Sequence, residues 1–256
     1  MLIIAGPCVV ESKEMLNEIA SELKNQCDKF GFNLIFKASY KKANRTSLSS
    51  FTGIGDTQAL TYLKEISEEF SLPVITDVHS VEEVQLASKY VDVLQIPAFL
   101  SRQTELLVEA GKSGKKINIK KGQFMAPEDM KKAAEKVAST GNKNIMLTER
   151  GYSFGYHDLI VDYRSLLIMK DFGYPVIYDA THSLQQPSVG EQSGGYPRFI
   201  PALARAAVAV GVDGIFFETH PNPSKAMSDS ATQLPLTSVV DFLEDIKAIS
   251  ELKFKL

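Results

Sequence analysis

Leu2-Ile3-Ile4-Ala5-Gly6-Pro7 is a short run that is apolar at odd and even positions alike, the pattern of a strand covered on both faces of a parallel sheet. Leu16, Ile19, Ala20, Leu23, Cys27 and Phe30 follow at the spacing of one helical face, with Ser12 placed to cap its start. A strand and then an amphipathic helix make one βα unit. The same alternation recurs along the chain. Leu34–Ser39, Pro73–Val78, Val93–Ala98, Ile117–Gly122, Ile145–Gly151, Pro175–His182 and Gly214–His220 read as further strands. Residues 58–70, 80–90, 103–112, 127–139, 159–171, 198–210 and 237–252 read as helices. Eight of each, at intervals of roughly 30 residues, predict an α/β chain folded as a single (β/α)8 TIM barrel over residues 1–256. The rival is a doubly wound open sheet. It is disfavoured because no Gly-x-Gly-x-x-Gly turn follows a strand, and Gly53-Ile54-Gly55 follows a polar loop instead.

Composition agrees with one folded domain: 256 residues, 44% hydrophobic and 23% charged, support a buried core and exclude a disordered tail or a disulfide scaffold. A net charge of −3 lacks the basic footprint of a nucleic-acid partner. No run approaches the ~18 consecutive apolar residues of a membrane span. The start of the chain has no basic region before its apolar residues, and Cys8 and Cys27 read as reduced thiols, so a cytoplasmic location is expected.

Loops 40–57, 183–197 and 221–235 are long, polar and preceded by strands. In a barrel they share the C-terminal face, where barrels carry their chemistry. The strand ends place Cys8, Lys37, Ser39, Asp77, His79, Gln95, Lys120, Lys121, Gln123, Glu149, Arg150, Asp179, His182, Glu218 and His220 there. Lys37, Lys42, Arg45, Lys120, Lys121 and Arg150 put six cations around this mouth in an acidic protein. Such a set suits a small substrate with several negative groups; a structural ring of ion pairs is the alternative.

Barrel closure makes the last strand a neighbour of the first, so His182, Glu218 and Cys8 stand side by side, and Asp229 can fold back over them. Thiolate, imidazole and two carboxylates form a site for a divalent transition metal such as Fe, Zn or Mn. Taken singly, a cysteine ending a strand is more often a small buried hydrophobe, and Cys27 on its helix face reads as packing. His79 is either a substrate- or water-orienting group or a rim histidine. His220 either supports Glu218 or packs a turn, and His157 reads as solvated.

Several segments together resemble the 3-deoxy-D-manno-octulosonate 8-phosphate synthases. They are Ile4–Ser12, Phe36–Ser39 with Lys42–Arg45, Gln95–Leu100 with Arg102–Thr104, Lys120–Phe124, Thr148–Gly151, Asp179–His182, Glu218–Pro221 and Ser228-Asp229. The resemblance implies a barrel enzyme that condenses phosphoenolpyruvate with D-arabinose 5-phosphate and water in lipopolysaccharide precursor synthesis, and a homotetramer. It implies that Lys42, Lys120, Gln123 and Arg150 hold phosphoenolpyruvate, with Lys37, Ser39 and Ala98 lining its site and Gln95 among the substrate-binding residues. Asn44, Arg45 and Thr46 match the pentose phosphate site, and Arg102 matches a residue that reaches into a neighbouring subunit. Catalytic roles fall on Lys42, Asn44, Lys120, His182 and Asp229. Cys8 places the chain with the metal-dependent members, with Cys8, His182, Glu218 and Asp229 as ligands.

Three departures from that pattern stand out: Thr46 replaces a common serine, Tyr40-Lys41 replaces phenylalanine-aspartate, and Thr52 sits where arginine is frequent. Three rival activities are kept open. They are the related 3-deoxy-D-arabino-heptulosonate 7-phosphate synthase using erythrose 4-phosphate, a Schiff-base aldolase using Lys120 or Lys121, and a sugar-phosphate binder without turnover. Lys42-Ala43-Asn44-Arg45 differs from the lysine-proline-arginine-threonine loop usual in the first.

Overall fold

The structure is a computed structural model, and it describes residues 1–44, 50–187 and 194–252. Eight parallel strands form the barrel: β1 (Leu2–Gly6), β2 (Asn33–Lys37), β3 (Val74–Asp77), β4 (Val93–Ile96), β5 (Lys116–Lys120), β6 (Ile145–Glu149), β7 (Val176–Asp179) and β8 (Gly214–His220). They pair in chain order, and β8 pairs with β1 through Leu2↔Gly214, Ile4↔Phe216 and Gly6↔Glu218. That last pairing closes the ring and excludes the open sheet.

Among the described residues eight α-helices surround it: α1 (Lys13–Phe30), α2 (Asp56–Phe70), α3 (Val81–Ala87), α4 (Thr104–Lys112), α5 (Asp129–Ala138), α6 (Arg164–Lys170), α7 (Ile200–Val210) and α8 (Val239–Ser250). Helix α1 shows how the sequence sets their bounds. Ser12 Oγ accepts from Met15 N at 3.1 Å, Gly31 ends the helix in the left-handed region at φ 71°, and Leu16, Ile19, Ala20, Leu23 and Cys27 are buried. Cys27 is therefore packing, as its position on the helix face predicts.

The expected helix over 159–171 starts five residues late. Leu159-Ile160 instead pairs antiparallel with Tyr152-Ser153, and Asp162 accepts from Arg164 N at 3.0 Å where α6 begins. That acceptor, one residue before the N-cap Tyr163, satisfies the first helical N–H. A second small hairpin, Gln185-Gln186 with Gly194-Gly195, and an added strand, Leu234-Pro235 beside Thr219-His220, fold parts of the other two long loops. No helix among the described residues is long and apolar enough to cross a membrane.

Alternation along the strands sets the site. Ile4, Ile35, Ile75, Val93, Met146, Ile177 and Phe216 form an apolar plug inside the barrel. Two residues further along each strand the inward side chain becomes polar: Lys37, Asp77, Gln95, Thr148, Asp179 and Glu218. Gly6 is the inward position of β1, at φ 156°, and a Cβ there would lie 2.0 Å from the Lys37 carbonyl oxygen. Only glycine permits that approach, which lets Lys37 and Cys8 meet one step higher.

Candidate active site

A cleft at the C-terminal ends of the strands is lined by Lys37, Ser39, Lys42, Asn44, Ala98, Lys120, Gln123, Arg150, His182 and Asp229, all expected there. Two of its groups are buried without a hydrogen-bond partner among the described residues: Arg150 Nη1 and Gln123 Oε1. The other face of the Arg150 guanidinium is fixed, Nη2 donating to Gln185 Oε1 at 3.2 Å. A buried guanidinium with one free edge is a prepared anion contact. Lys120 Nζ adds a cation 2.8 Å from Asp179 Oδ2 and 3.9 Å from the Phe216 ring centre.

Beside this pocket, Cys8, Glu218 and Asp229 each offer a donor atom, all within 4.8 Å of one another. His182 Nε2 lies 3.5 Å from Glu218 Oε1 and 4.0 Å from Asp229 Oδ2. The expected quartet thus converges through closure, three members as a compact group and the imidazole on their edge. Asp179 aims that ring. Its Oδ1 lies in hydrogen-bond contact with His182 Nδ1 at 3.2 Å, with Oδ2 2.9 Å from the same nitrogen, and Oδ1 also accepts from His182 N at 2.9 Å. An ionised carboxylate only accepts, so Nδ1 carries the proton and Nε2 is left as the lone-pair donor. Asp229 takes φ 48°, a strained angle for a residue with a side chain, in bringing its carboxylate back over the barrel.

The set suits a divalent ion by its chemistry. It combines a soft sulfur, an oriented imidazole and two carboxylates, and Glu218 Oε2 is buried with no hydrogen-bond partner among the described residues. Burial, then Asp229 and Glu218, push the Cys8 thiol well above its ordinary range, so a bound cation would have to displace its proton. Lysines hold the same donors now. Lys37 Nζ donates to Glu218 Oε1 and, at 3.0 Å, to the Cys8 carbonyl. Lys42 Nζ lies 3.0 Å from Cys8 Sγ and 3.1 Å from Asp229 Oδ2, and the thiol itself donates to Asp229 Oδ2 at 3.1 Å. Burial opposes the charge on Lys42, but Asp229 and Cys8 outweigh it and raise its pKa well above the ordinary value.

Other expected residues fall elsewhere. Lys121 leaves the mouth: next to an inward Lys120 it points out of the barrel, where it is fully buried 3.3 Å from Glu149 Oε1. Gln95 sits below the cleft in a belt of side chains rather than lining it. Arg102 is exposed between β4 and α4 and does not line this cleft. Arg45 and Thr46 lie outside the described residues. His220 Nδ1 accepts from Asn222 N at 2.9 Å, so it packs the turn and does not support Glu218. His79 lines the cleft, its Nδ1 2.7 Å from Glu83 Oε2, and His157 is exposed. The unusual Lys41 has a partner: its Nζ donates to Glu83 Oε1 at 2.9 Å, tying the start of loop 40–57 to α3.

A polar belt went unread in the sequence. Thr148 Oγ1 donates to Asn118 Oδ1 (2.7 Å), Asn118 Nδ2 to Gln95 Oε1 (2.8 Å), Gln95 Nε2 to Asp77 Oδ1 (2.7 Å) and Ser39 Oγ to Asp77 Oδ2 (2.5 Å). It links β6 through β3 to the loop after β2, and Asp77 is its terminal acceptor. Lys37, Lys120 and the Ser39 bond outweigh burial and hold the Asp77 carboxyl well below its usual range.

Residues 1–253 match the model of the DAHP synthetase I family. The chain belongs to that family. Among its relatives, this member of the DAHP synthetase I family is 51% identical over 250 residues to the 2-dehydro-3-deoxyphosphooctonate aldolase of Trichlorobacter lovleyi, covering 97% of this chain and 92% of the relative. The protein of the same name from Desulfatibacillum aliphaticivorans is 52% identical over the same length and coverage. That from Syntrophotalea carbinolica is 52% identical over 248 residues, 96% of this chain and 90% of the relative.

Proposed function

We propose that this enzyme condenses phosphoenolpyruvate with D-arabinose 5-phosphate and water to give 3-deoxy-D-manno-octulosonate 8-phosphate and inorganic phosphate. The observation that carries this reading is the shared wall between the anion pocket of Lys120, Gln123 and Arg150 and the donor cluster of Cys8, Glu218 and Asp229. It supports a reaction of polyanions beside a metal ion, in a chain about half identical to aldolases of the phosphooctonate.

Arg150, Lys120 and Lys42 neutralise the carboxylate and phosphate of phosphoenolpyruvate, with Gln123, Ser39 and Ala98 shaping its site. Asn44, with Arg45 and Thr46, receives the pentose phosphate. C3 of phosphoenolpyruvate bonds to the aldehyde carbon, water adds at C2, and phosphate leaves as its C2–O bond breaks. Cys8, His182, Glu218 and Asp229 would hold a divalent ion, Fe, Zn, Mn or similar, that supplies orientation and polarisation of aldehyde or water. Lys37, fixed by Glu218 and the Cys8 carbonyl, keeps that wall in place. The reading includes a homotetramer in the cytoplasm in which Arg102 completes a neighbour's pentose phosphate site; its exposure away from its own cleft supports this.

The test is phosphate release from phosphoenolpyruvate with arabinose 5-phosphate, with erythrose 4-phosphate and with neither, before and after chelation. Release only with the pentose, lost on chelation and restored by metal, is expected. Equal or greater turnover with the tetrose favours the heptulosonate reaction, the activity for which the family is named. Full activity after exhaustive chelation would remove the metal from the account. A lysine adduct trapped by borohydride would replace the mechanism.

A further inference from the structure

Lys42 belongs to both halves of the site. It lines the anion pocket, yet its ammonium rests on Cys8 Sγ and Asp229 Oδ2, atoms of two of the three residues grouped as metal donors. An ammonium and a divalent cation compete for the same donors, and like charge disfavours holding both there together. Lys37 is buried against Glu218 and has nowhere to go. Lys42, on a loop and with its side chain 16% exposed, is the cation free to move.

We propose that Lys42 is a placeholder at the metal site: a divalent ion displaces its ammonium from Cys8 and Asp229 into the anion pocket, where it meets the phosphate of phosphoenolpyruvate. This rests on the metal reading above and adds a consequence to it. A ligand that draws Lys42 away from the donors helps the metal bind, and by linkage the metal helps that ligand bind by the same factor. Metal and phosphoenolpyruvate therefore load with positive coupling through one side chain.

The probe is Cd2+ titrated into chelator-stripped protein, its thiolate charge-transfer absorption reporting Cys8 coordination and a competing chelator giving the affinity. In the wild type, saturating phosphoenolpyruvate should tighten Cd2+ binding by about tenfold. Lys42→Met and Lys42→Gln should bind Cd2+ more tightly than the wild type without phosphoenolpyruvate, by a similar factor. Lys41→Met, which removes a nearby ammonium that touches Glu83 instead of these donors, should leave the affinity unchanged. The placeholder role is overturned if natively folded Lys42 variants bind Cd2+ no more tightly than wild type. It is equally overturned if Lys41→Met tightens binding as much, since the effect is then general charge, or if phosphoenolpyruvate does not change the wild-type affinity. Absence of the thiolate band from all proteins, wild type included, removes the metal site itself, a failure distinct from the others.

Discussion

Lys121→Met breaks an ion pair that has no access to water. Lys121 and Glu149 are both 0% exposed, with Nζ 3.3 Å from Oε1 and 3.6 Å from the centre of the Tyr152 ring. Glu149 also accepts from Gly151 N at 2.7 Å and Ser165 Oγ at 2.6 Å. Removing the ammonium leaves a buried carboxylate with two neutral donors and no counter-charge. Loss of one partner of a buried pair costs about 3–5 kcal/mol, which for a chain of this size is roughly 6–20 °C in melting temperature. Lys121→Met/Glu149→Gln removes both charges and keeps an acceptor for Gly151 and Ser165, so it should recover most of the loss. Urea unfolding of the wild type, both single variants and the double variant completes the cycle. A Lys121→Met cost below about 1 kcal/mol, typical of exposed pairs, or a double variant no better than the single, refutes the argument. Because Arg150 lies between Glu149 and Gly151, the single variant should also raise KM for phosphoenolpyruvate while the double variant restores it.

Asp179→Asn can present either an amide or a carbonyl to His182 Nδ1 and no longer enforces the Nε2 donor; metal affinity, measured by chelator competition, should fall about 10–100-fold. Asn118→Leu cuts the belt in the middle, leaving Gln95 Oε1 and Thr148 Oγ1 without their partner. Each orphaned group costs roughly 1–3 kcal/mol in urea unfolding, and a smaller loss than that for one group shows the belt to be replaceable. Acid should destabilise the fold through Asp77, whose ordinary pKa of 3.8 is lowered. A lowered carboxyl contributes stability that is complete above about pH 4 and lost as pH falls further, toward the folded value, because unfolding then takes up a proton. Melting temperature followed from pH 6 to pH 3 should fall less steeply for Asp77→Asn than for the wild type.

The barrel was legible because short strand-like runs alternate with helix-forming sequence, and closure alone then carries Cys8 on β1's loop toward Glu218 on β8. Register confirms that step: Gly6 pairs with Glu218, two residues short of the cysteine. Legibility failed where the partner of a side chain lay one strand away among common residue types. Thr148 and Asn118 are 30 positions apart and Gln95 and Asn118 are 23 apart, and a lone asparagine in a strand carries no mark of what it faces. The hairpin at 152–160 was hidden for another reason: an apolar Leu159-Ile160 pair ahead of Arg164 fits a helical face as well as a two-residue strand.

One signal in the sequence would have corrected the largest misplacement. Proximity to strand ends puts six cations at the mouth, yet side chains on a strand alternate, so Lys120 and Lys121 cannot both face the barrel axis. The same parity on the next strand puts Thr148 and Arg150 inside and Glu149 outside, opposite Lys121. Adjacent residues thus serve different purposes: Lys120 and Arg150 supply charge to the cleft, while Lys121 and Glu149 neutralise each other under α6 and fix the turn at Gly151. Parity also explains why the inner partners include Lys120 with Asp179 and Lys37 with Glu218, each joining inward positions of different strands. A buried lysine next to a functional one is therefore evidence about the outer layer, and counting both as ligands for a substrate anion overstates the charge the cleft can offer.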